Sequence, residues 1–403
     1  MLFKTYKLIK ILTSSKVKIS FQNPKKKSII LFDAQTAPLL KNLLKDYKFK
    51  TINIRKEEIY EIIASPKFLF NFLKNKFFFL NHLKITFVEI YLYTLIEMIE
   101  PRIVITATDN SYIFSKLAKL LKKKISFFAV QNAQRYDYWR NPYFKKIKIQ
   151  TLNKNSLYHL HHFFCFGQKE IDDCKTYKIK VDNFYSYGSI KLSNFFEYLK
   201  KKKIKFKKKF DICLISDVAT DYDIIHKANL ETRRAILFKY TVKLALLKKY
   251  RLVFCPKFPH GTAEHKREMN YHKRFLNNDE FRYLKKNMRP KKNLYSSYIN
   301  VHQSELCIAS DSTLLREVLG VDNKILACNF SEFRDYDFPI QGICALNNPT
   351  YDQFEKRVKR ILNISKNKYF NELDKNKNYV MNFDKKLNTN IKIKQKIDEI
   401  LER

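Results

Sequence analysis

"ELCIASDSTLLREVLG", residues 305–320, is the stretch that decides the fold. Its apolar run to Ser310 is typical of a buried strand, and small polar residues follow before a helical pattern that stops at Gly320. Such polar residues favour the start of a helix, and glycine favours the position just past its end. The stretch therefore predicts a strand, a polar turn and a helix, and "NKILACNF" at 323–330 supplies the next strand.

The same order occurs in the first half of the chain. "PRIVITATDNSYIFSKLAKL" (101–120) places an apolar strand before a polar turn and a helix, and "KISFFAVQN" (124–132) follows as a second strand. Other parts of the 403 residues also alternate short apolar runs with helical patterns. This alternation predicts an α/β protein with mostly parallel sheets, and the length allows two domains.

A lysine-rich stretch separates the two halves. "YLKKKKIKFKKKFD" (198–211) carries eight lysines, which a core cannot hold, and it predicts a linker or an exposed hairpin. We therefore expect a first domain at 1–197, a linker at 198–210, a second domain at 211–385 and a final helix at 386–403.

Composition excludes several protein classes. Hydrophobic residues make up 45% of the chain, which supports folded cores, and no apolar run reaches the ~18 residues of a membrane-spanning helix. Lysines scattered through residues 1–20 argue against a signal peptide. The seven cysteines form no CxxC pair, which is typical of reduced core residues in a cytosolic protein.

Glycine is scarce, and its scarcity excludes two nucleotide-binding motifs. Average usage would give roughly 28 glycines, whereas this chain has 5. The nearest two, Gly167 and Gly188, are 21 residues apart. Neither a GxGxxG dinucleotide fingerprint nor a GxxxxGK P-loop can be present, so protein kinases and classical dehydrogenases are excluded.

The net charge of +40 has two interpretations. A composition rich in Lys, Ile, Asn and Phe is what an AT-rich genome produces, and the remaining charge favours nucleic acid, a nucleotide sugar or an anionic membrane as partner. No nucleic-acid-binding motif is present, and the aromatic residues fall mainly in core-like runs. We therefore expect no specific nucleic-acid partner, and a basic nucleic-acid-binding protein is the alternative from another class.

Five segments resemble the GT-B glycosyltransferases, and more narrowly bacterial transferases that build capsule and O-antigen. They are "FFAVQNAQR" (127–135), "YGSIKLSNF" (187–195), "CPKFPHGT" (255–262), "SDSTLLREVLG" (310–320) and "KILACNF" (324–330), together less than half of the chain. The usual K-x-HP order of the family is here Lys257-Phe258-Pro259-His260. The resemblance implies two doubly wound Rossmann-like domains that face a cleft, with the final helix returning to the first domain.

Glycosyl transfer needs a neutralised phosphate, a grip on hydroxyl groups and a base. A helix N-terminus offers free N–H groups to a phosphate, so the turn at Ser310, Asp311, Ser312 and Thr313 is the predicted donor site. Glu317, one turn further, would hold the hydroxyls of the ribose. The alternative is that the turn only caps the helix and that Glu317 is an exposed helix residue.

Residues after other strands complete the predicted site. Lys257 and His260 follow the strand at 251–256 and would neutralise the phosphate, unless they belong to an ordinary surface turn. Asp109 is the candidate base in the first domain, with an N-cap as the alternative role, and Asp217 is its rival as base or nucleophile. On the acceptor side we expect Gln131, Asn132 and Arg135.

The histidines in "YHLHHFF" do not predict a metal site. His159, His161 and His162 have a spacing that suits no common catalytic centre, and no carboxylate is near them in the sequence. We interpret the segment as a polar edge strand and expect no metal and no other cofactor.

The segment "PKFLFNFLKNKFFFLNHLKI" (66–85) mixes lysine with phenylalanine and leucine. It suits a membrane interface with anionic headgroups, and a partly buried helix pair is the alternative.

Together these features predict a metal-independent glycosyltransferase that moves a sugar from a CMP-, UDP- or GDP-linked donor to a glycan or lipid-linked glycan. We expect it in the cytoplasm, peripheral on the inner face of the membrane. A nucleotide-alditol phosphotransferase and a non-hydrolysing epimerase are the enzymatic alternatives.

Overall fold

The computed structural model describes residues 17–52, 60–80, 85–121, 124–135, 159–176, 179–218, 230–331 and 334–402. Within them lie two parallel α/β sheets with helices on both faces, and the predicted fold class is confirmed.

The described residues of the first domain form eight strands. They are β1 (Val17–Ser20), β2 (Ile29–Phe32), β3 (Phe49–Ile52), β4 (Tyr60–Ile63), β5 (Ile103–Thr106), β6 (Ser126–Val130), β7 (Leu160–Cys165) and β8 (Val181–Ser186). β1 and β4 pair by themselves, and the other six form a parallel sheet in the order β3-β2-β5-β6-β7-β8. All four residues of β2 and the first three of β5 are fully buried, because helices cover both faces of the sheet.

In the described part of this domain, six helices accompany these strands. They are α1 (Ala37–Leu44), α2 (Pro66–Leu80), α3 (Phe87–Ile99), α4 (Tyr112–Leu121), α5 (Gln168–Thr176) and α6 (Ile190–Lys202). Thr86 and Glu89 form a capping box at the start of α3, and the Ser189 hydroxyl caps α6. Gly188 has φ 81°, a left-handed conformation that lets the chain turn from β8 into α6.

The second domain has five parallel strands in the order β10-β9-β11-β12-β13. They are β9 (Phe210–Ile215), β10 (Leu252–Cys255), β11 (Ser304–Ala309), β12 (Lys324–Asn329) and β13 (Ala345–Asn347). The helices are α7 (Leu230–Lys248), α8 (Ala263–Phe275), α9 (Asn278–Lys286), α10 (Ser296–His302), α11 (Thr313–Gly320), α12 (Tyr351–Asn363), α13 (Lys366–Asn371) and α14 (Thr389–Glu402). The polar stretch 262–286 forms two helices, α8 and α9, because Asn277 begins α9 with its own capping box.

Two helices join the domains. α6 continues to Lys202, five residues into the predicted linker, and it buries Ile190 in the first domain and Phe195 in the second. α14 lies on the first domain, where Ile393 and Ile397 are fully buried in the same cluster as α1. Lys394 forms an ion pair with Asp46 at 2.7 Å. The chain therefore crosses between the domains twice.

The histidine segment is not at the edge of the sheet. β7 pairs with both β6 and β8, so the interpretation of 158–164 as an edge strand is wrong, and β8 is the outer strand. The polar side chains on β7 misled the prediction, since the imidazole groups of His159 and His161 are buried and the His161 ring packs against Phe127.

Candidate functional site

The carboxyl ends of the two sheets face a cleft. Contacts between the domains close this cleft over residues 305–320. The backbone N–H of Gln134, just after β6, donates to the Thr313 hydroxyl at 3.0 Å, and the Gln134 side chain donates to the Asp311 carbonyl. Arg316 on α11 forms an ion pair with Glu170 on α5 at 2.7 Å, and both side chains are buried. The turn before α11 is thus packed against the first domain.

Glu317 lies in this interface. Its two oxygens accept hydrogen bonds from the Ser189 hydroxyl at the start of α6 and from the Tyr298 hydroxyl on α10, the latter at 2.7 Å. The side chain is 2% exposed. Burial raises the pKa of Glu317, and the nearby Lys191 ammonium opposes the rise. In this conformation the carboxylate contacts protein hydroxyls, and its role toward a ribose stays a prediction.

Asp217 ends β9 with one oxygen engaged and one without a partner. Its Oδ2 accepts from the backbone N–H groups of Ser310 at 2.9 Å and Asp311 at 3.1 Å. Among the described residues, Asp217 Oδ1 and the hydroxyls of Ser216 and Ser310 are buried with no hydrogen-bond partner. Burial raises the pKa of Asp217 to about 6, the Asp311 carboxylate adds to the rise and Arg234 opposes it. A carboxylate with this pKa can accept a proton near neutral pH.

Asp109, unlike Asp217, has hydrogen-bond partners on both carboxylate oxygens. Both of its oxygens accept from the Arg135 guanidinium, with Nε to Oδ2 at 3.1 Å. Arg135 also donates to the Asn132 side chain at 3.3 Å. Burial raises the pKa of Asp109, and the adjacent guanidinium opposes the rise. The aspartate is therefore held in a two-pronged ion pair inside the first domain.

Gln131, expected on the acceptor side, is 1% exposed and joins two parts of the first domain. Its amide oxygen accepts from the Phe166 N–H at 2.9 Å, and its amide nitrogen donates to the Ala133 carbonyl at 3.1 Å. These bonds hold the turn after β6 against the end of β7. The described hydrogen bonds do not join this network to Asp217.

Three lysines gather at the cleft. Lys257 Nζ donates to the Val218 carbonyl, next to Asp217, at 2.8 Å, and Lys291 Nζ donates to the Lys257 carbonyl at 2.9 Å. Burial lowers the pKa of Lys291, and the charges of Lys191 and Lys257 lower it further. Burial also lowers the pKa of Lys191, whose ammonium has no hydrogen bond or ion pair with any residue that the structure describes. Like charges that lower one another's pKa favour a bound anion, which would offset their repulsion.

Glu268 shapes the turn that carries Lys257. Its carboxylate, 1% exposed, accepts from the backbone N–H groups of Lys257 at 2.9 Å and Phe258 at 3.2 Å. His260 is exposed, and its ring meets the ring of the buried His265 edge to face at 4.9 Å. The predicted pair of Lys257 and His260 is thus placed by a glutamate from α8.

Sequence reasoning missed Lys191, Lys291, Glu268 and His265. Lys191 lies in the quoted segment "YGSIKLSNF", so the resemblance already contained it. Lys291 is one of many lysines, and only the fold distinguishes it from its exposed neighbour Lys292.

No family model and no curated protein sequence matches the chain. Solved structures do match. The UDP-GlcNAc 2-epimerase from Methanocaldococcus jannaschii gives a TM-score of 0.51 at 12% identity, over 93% of this chain and 99% of that chain. The epimerase from Neisseria meningitidis bound to UDP-GlcNAc gives 0.48 at 13% identity, over 96% and 99%. The wall teichoic acid polymerase TagF gives 0.49 at 8% identity, over 94% and 89%. The first of these matches shows the fold: two Rossmann-like domains facing a cleft, as predicted.

Proposed function

We propose that this chain is a glycosyltransferase that moves a sugar from a nucleotide-linked donor to a growing surface glycan. The observation that carries the proposal is a group of lysines from both domains. Lys257 donates to the carbonyl of the residue after Asp217, Lys291 donates to the Lys257 carbonyl, and the charge of Lys191 lowers the pKa of Lys291. A nucleotide that leaves during transfer gains negative charge on its phosphate. Ammonium groups fixed in a cleft stabilise that charge without first having to reorganise.

Asp217 is the proposed base. Its Oδ1 lacks a partner among the described residues, and its pKa of about 6 leaves it ionised at neutral pH yet able to take a proton from an acceptor hydroxyl. Asp109 is less suited, because the Arg135 guanidinium occupies both of its oxygens.

The turn from Ser310 to Thr313 remains the proposed place for the donor phosphates. The Ser310 hydroxyl has no partner among the described residues, and Ser312 caps α11. We propose that Glu317 keeps α6, and with it Lys191, in position through Ser189. Asn132 and Arg135 stay on the acceptor side, with His260 at the mouth of the cleft.

A thermal-shift panel of CMP, UDP and GDP with their sugars tests the donor site. One nucleotide is expected to stabilise the wild-type chain, Lys291→Gln to lose most of that shift, and the matched variant of its exposed neighbour, Lys292→Gln, to keep it. The shift should persist at high salt, whereas nucleic-acid binding falls steeply as salt rises. If no nucleotide stabilises the protein, the proposal is wrong. Transfer of an alditol phosphate in place of a sugar would support the phosphotransferase.

We also propose that α2 and the start of α3 dock on an anionic membrane surface. Seven large apolar side chains are exposed there: Leu69, Phe70, Leu73, Phe77, Phe78, Phe87 and Val88. Lysines flank them, as in helices that lie in a membrane interface. No described helix is long and apolar enough to span a bilayer. Residues 81–84 of the predicted segment lie outside the described part of the chain.

Flotation with vesicles of anionic and zwitterionic lipid tests this surface. The wild-type chain is expected to float with anionic vesicles and to be released at high salt. Phe70→Ser with Phe77→Ser should abolish flotation. Phe21→Ser, which changes a phenylalanine that is 74% exposed elsewhere on the first domain, should leave it intact. Equal flotation of all three proteins would contradict the assignment.

A further inference from the structure

A second group of reactive side chains lies on the first sheet, away from the cleft. His159, His161 and Asp182 each offer one ligand atom, and these three atoms lie within 4.8 Å of one another. The closest contact joins His159 Nε2 and Asp182 Oδ1 at 2.7 Å. The cluster contains two imidazole nitrogens and one carboxylate oxygen, which are ligands that zinc and similar divalent ions prefer.

The strand register explains why these residues meet. His159 and His161 are two positions apart along the chain, so their side chains project from the same face of the sheet. β7 pairs with β8 so that Leu160 lies opposite Val181 and His162 opposite Asn183, which sets Asp182 alongside His161. The carboxylate is 21 residues from His161 in the sequence, and parallel pairing alone brings it near.

The surroundings favour a fixed site with one open side. His159 is 2% exposed and His161 is 6% exposed. The ring of His161 packs edge to face against Phe127 at 5.5 Å and against His159 at 5.1 Å, so both rings are held in orientation. Asp182 lies on the outer strand and is partly exposed, which gives an ion a path from solvent and leaves room for a water ligand.

We propose that His159, His161 and Asp182 bind one divalent transition-metal ion, with Zn²⁺ as the best fit. Zinc has no geometric preference from its d electrons and forms four-coordinate sites with three protein ligands and one water. Its bonds to nitrogen and oxygen are about 2.0–2.2 Å. The three ligand atoms therefore reach a common centre through small side-chain movements.

The position of the site assigns it a structural role. The cleft lies at the carboxyl end of β7, four residues beyond His161, or about 13 Å along the strand. An ion bound here is too far away to touch the donor phosphates. It would instead tie the outer strand β8 to β7, and β8 leads directly into the turn and helix that carry Ser189 and Lys191.

Calorimetric titration of Zn²⁺ into the chelator-treated full chain tests the site. The wild type is expected to bind one equivalent, and Asp182→Asn and His161→Gln are each expected to bind at least tenfold more weakly. The matched control is His162→Gln on the other face of the same strand, where the His162 ring lies 3.1 Å from the Tyr185 hydroxyl. This control should bind like the wild type. Co²⁺ absorption in the visible range gives a second readout.

Two outcomes decide the matter. If Asp182→Asn, folded by circular dichroism, takes up Zn²⁺ as tightly as the wild type, the proposal is overturned. If the wild type binds no Zn²⁺, the three side chains form only a hydrogen-bonded cluster and the proposal is equally wrong. Nucleotide binding at the cleft is measured separately, so failure here leaves the proposed transferase untouched.

Discussion

Asp109 and Asp217 each follow a buried strand of their own sheet, yet their chemical settings differ. Each stands at the carboxyl end of that strand. Asp109 gives both oxygens to one guanidinium, while Asp217 gives one oxygen to two backbone N–H groups and keeps the other without a partner among the described residues. The difference teaches that position in the fold makes a carboxylate a candidate, and that its partners from other strands decide whether it can react.

The largest effect is expected from removing the base. Asp217→Asn should lower the transfer rate about 10²- to 10⁴-fold, the usual contribution of a general base, while its amide oxygen still accepts from the backbone of Ser310 and Asp311. Transfer of a labelled sugar measures the rate, and a thermal shift should show unchanged nucleotide binding. A folded Asp109→Asn variant that loses more activity than Asp217→Asn would reverse the assignment.

Asp109→Asn should act on stability. The change removes the carboxylate charge that faces the Arg135 guanidinium, whose side chain is 12% exposed, and breaking such a largely buried pair costs about 3–5 kcal/mol. Urea denaturation measures the loss. Glu100→Gln is the control, because its ion pair with Lys26 is exposed on both sides and should matter little. Equal stability of Asp109→Asn and the wild type would show that the ion pair of Asp109 does not stabilise the fold.

The pH dependence of stability tests the setting of Asp217. Asp217 has a pKa of about 6 in the folded chain, against about 3.9 when unfolded. Its favourable contribution is therefore complete below pH ~4 and is lost as pH rises through 6. Between these values the wild type should lose about 2–3 kcal/mol relative to Asp217→Asn. Melting temperatures of both proteins across this range measure the difference, and parallel curves would contradict the raised pKa.

Glu317 offers a third carboxylate, one whose two oxygens are both satisfied by hydroxyl groups. Glu317→Ala should weaken nucleotide binding about ten- to hundredfold, since hydrogen bonds to a charged group contribute about 1.5–3 kcal/mol each and their loss loosens the helix that carries Lys191. Tyr298→Phe, which removes one of the two partners, should have a smaller effect. Calorimetric titration gives both affinities, and an unchanged value for Glu317→Ala would mean that the carboxylate only holds the interface.

The fold could be predicted from the sequence because it depends on local patterns. The strand expected at 102–106 is Ile103–Thr106, and the polar turn after 305–310 is followed by a helix that begins at Thr313. Apolar runs, polar turns and the glycines that end helices all lie within a few residues of one another in the sequence. Two repeated units of this kind were enough to predict two parallel sheets.

The site was less predictable because its contacts cross strands and domains. The partner of Asp109 is 26 residues away in Arg135, and Lys191 acts on the pKa of Lys291 across 100 residues of sequence. Asp182 completes the histidine cluster from the neighbouring strand, so the sequence around "YHLHHFF" showed no carboxylate. Patterns in a single sequence identify candidate side chains. They do not identify the residues from other strands that contact them.

The packing of α14 on the first domain bears on the order in which the chain can mature on the ribosome. Tyr47 donates a hydrogen bond to Asp398, 351 residues later, and Ile393 and Ile397 complete the apolar cluster around α1. At synthesis rates of about 5–20 residues per second, that interval lasts roughly 20–70 s. During it the apolar surface of the first domain that α14 will cover stays open to solvent. The first domain is therefore the last to be finished, although its strands are the first to be made.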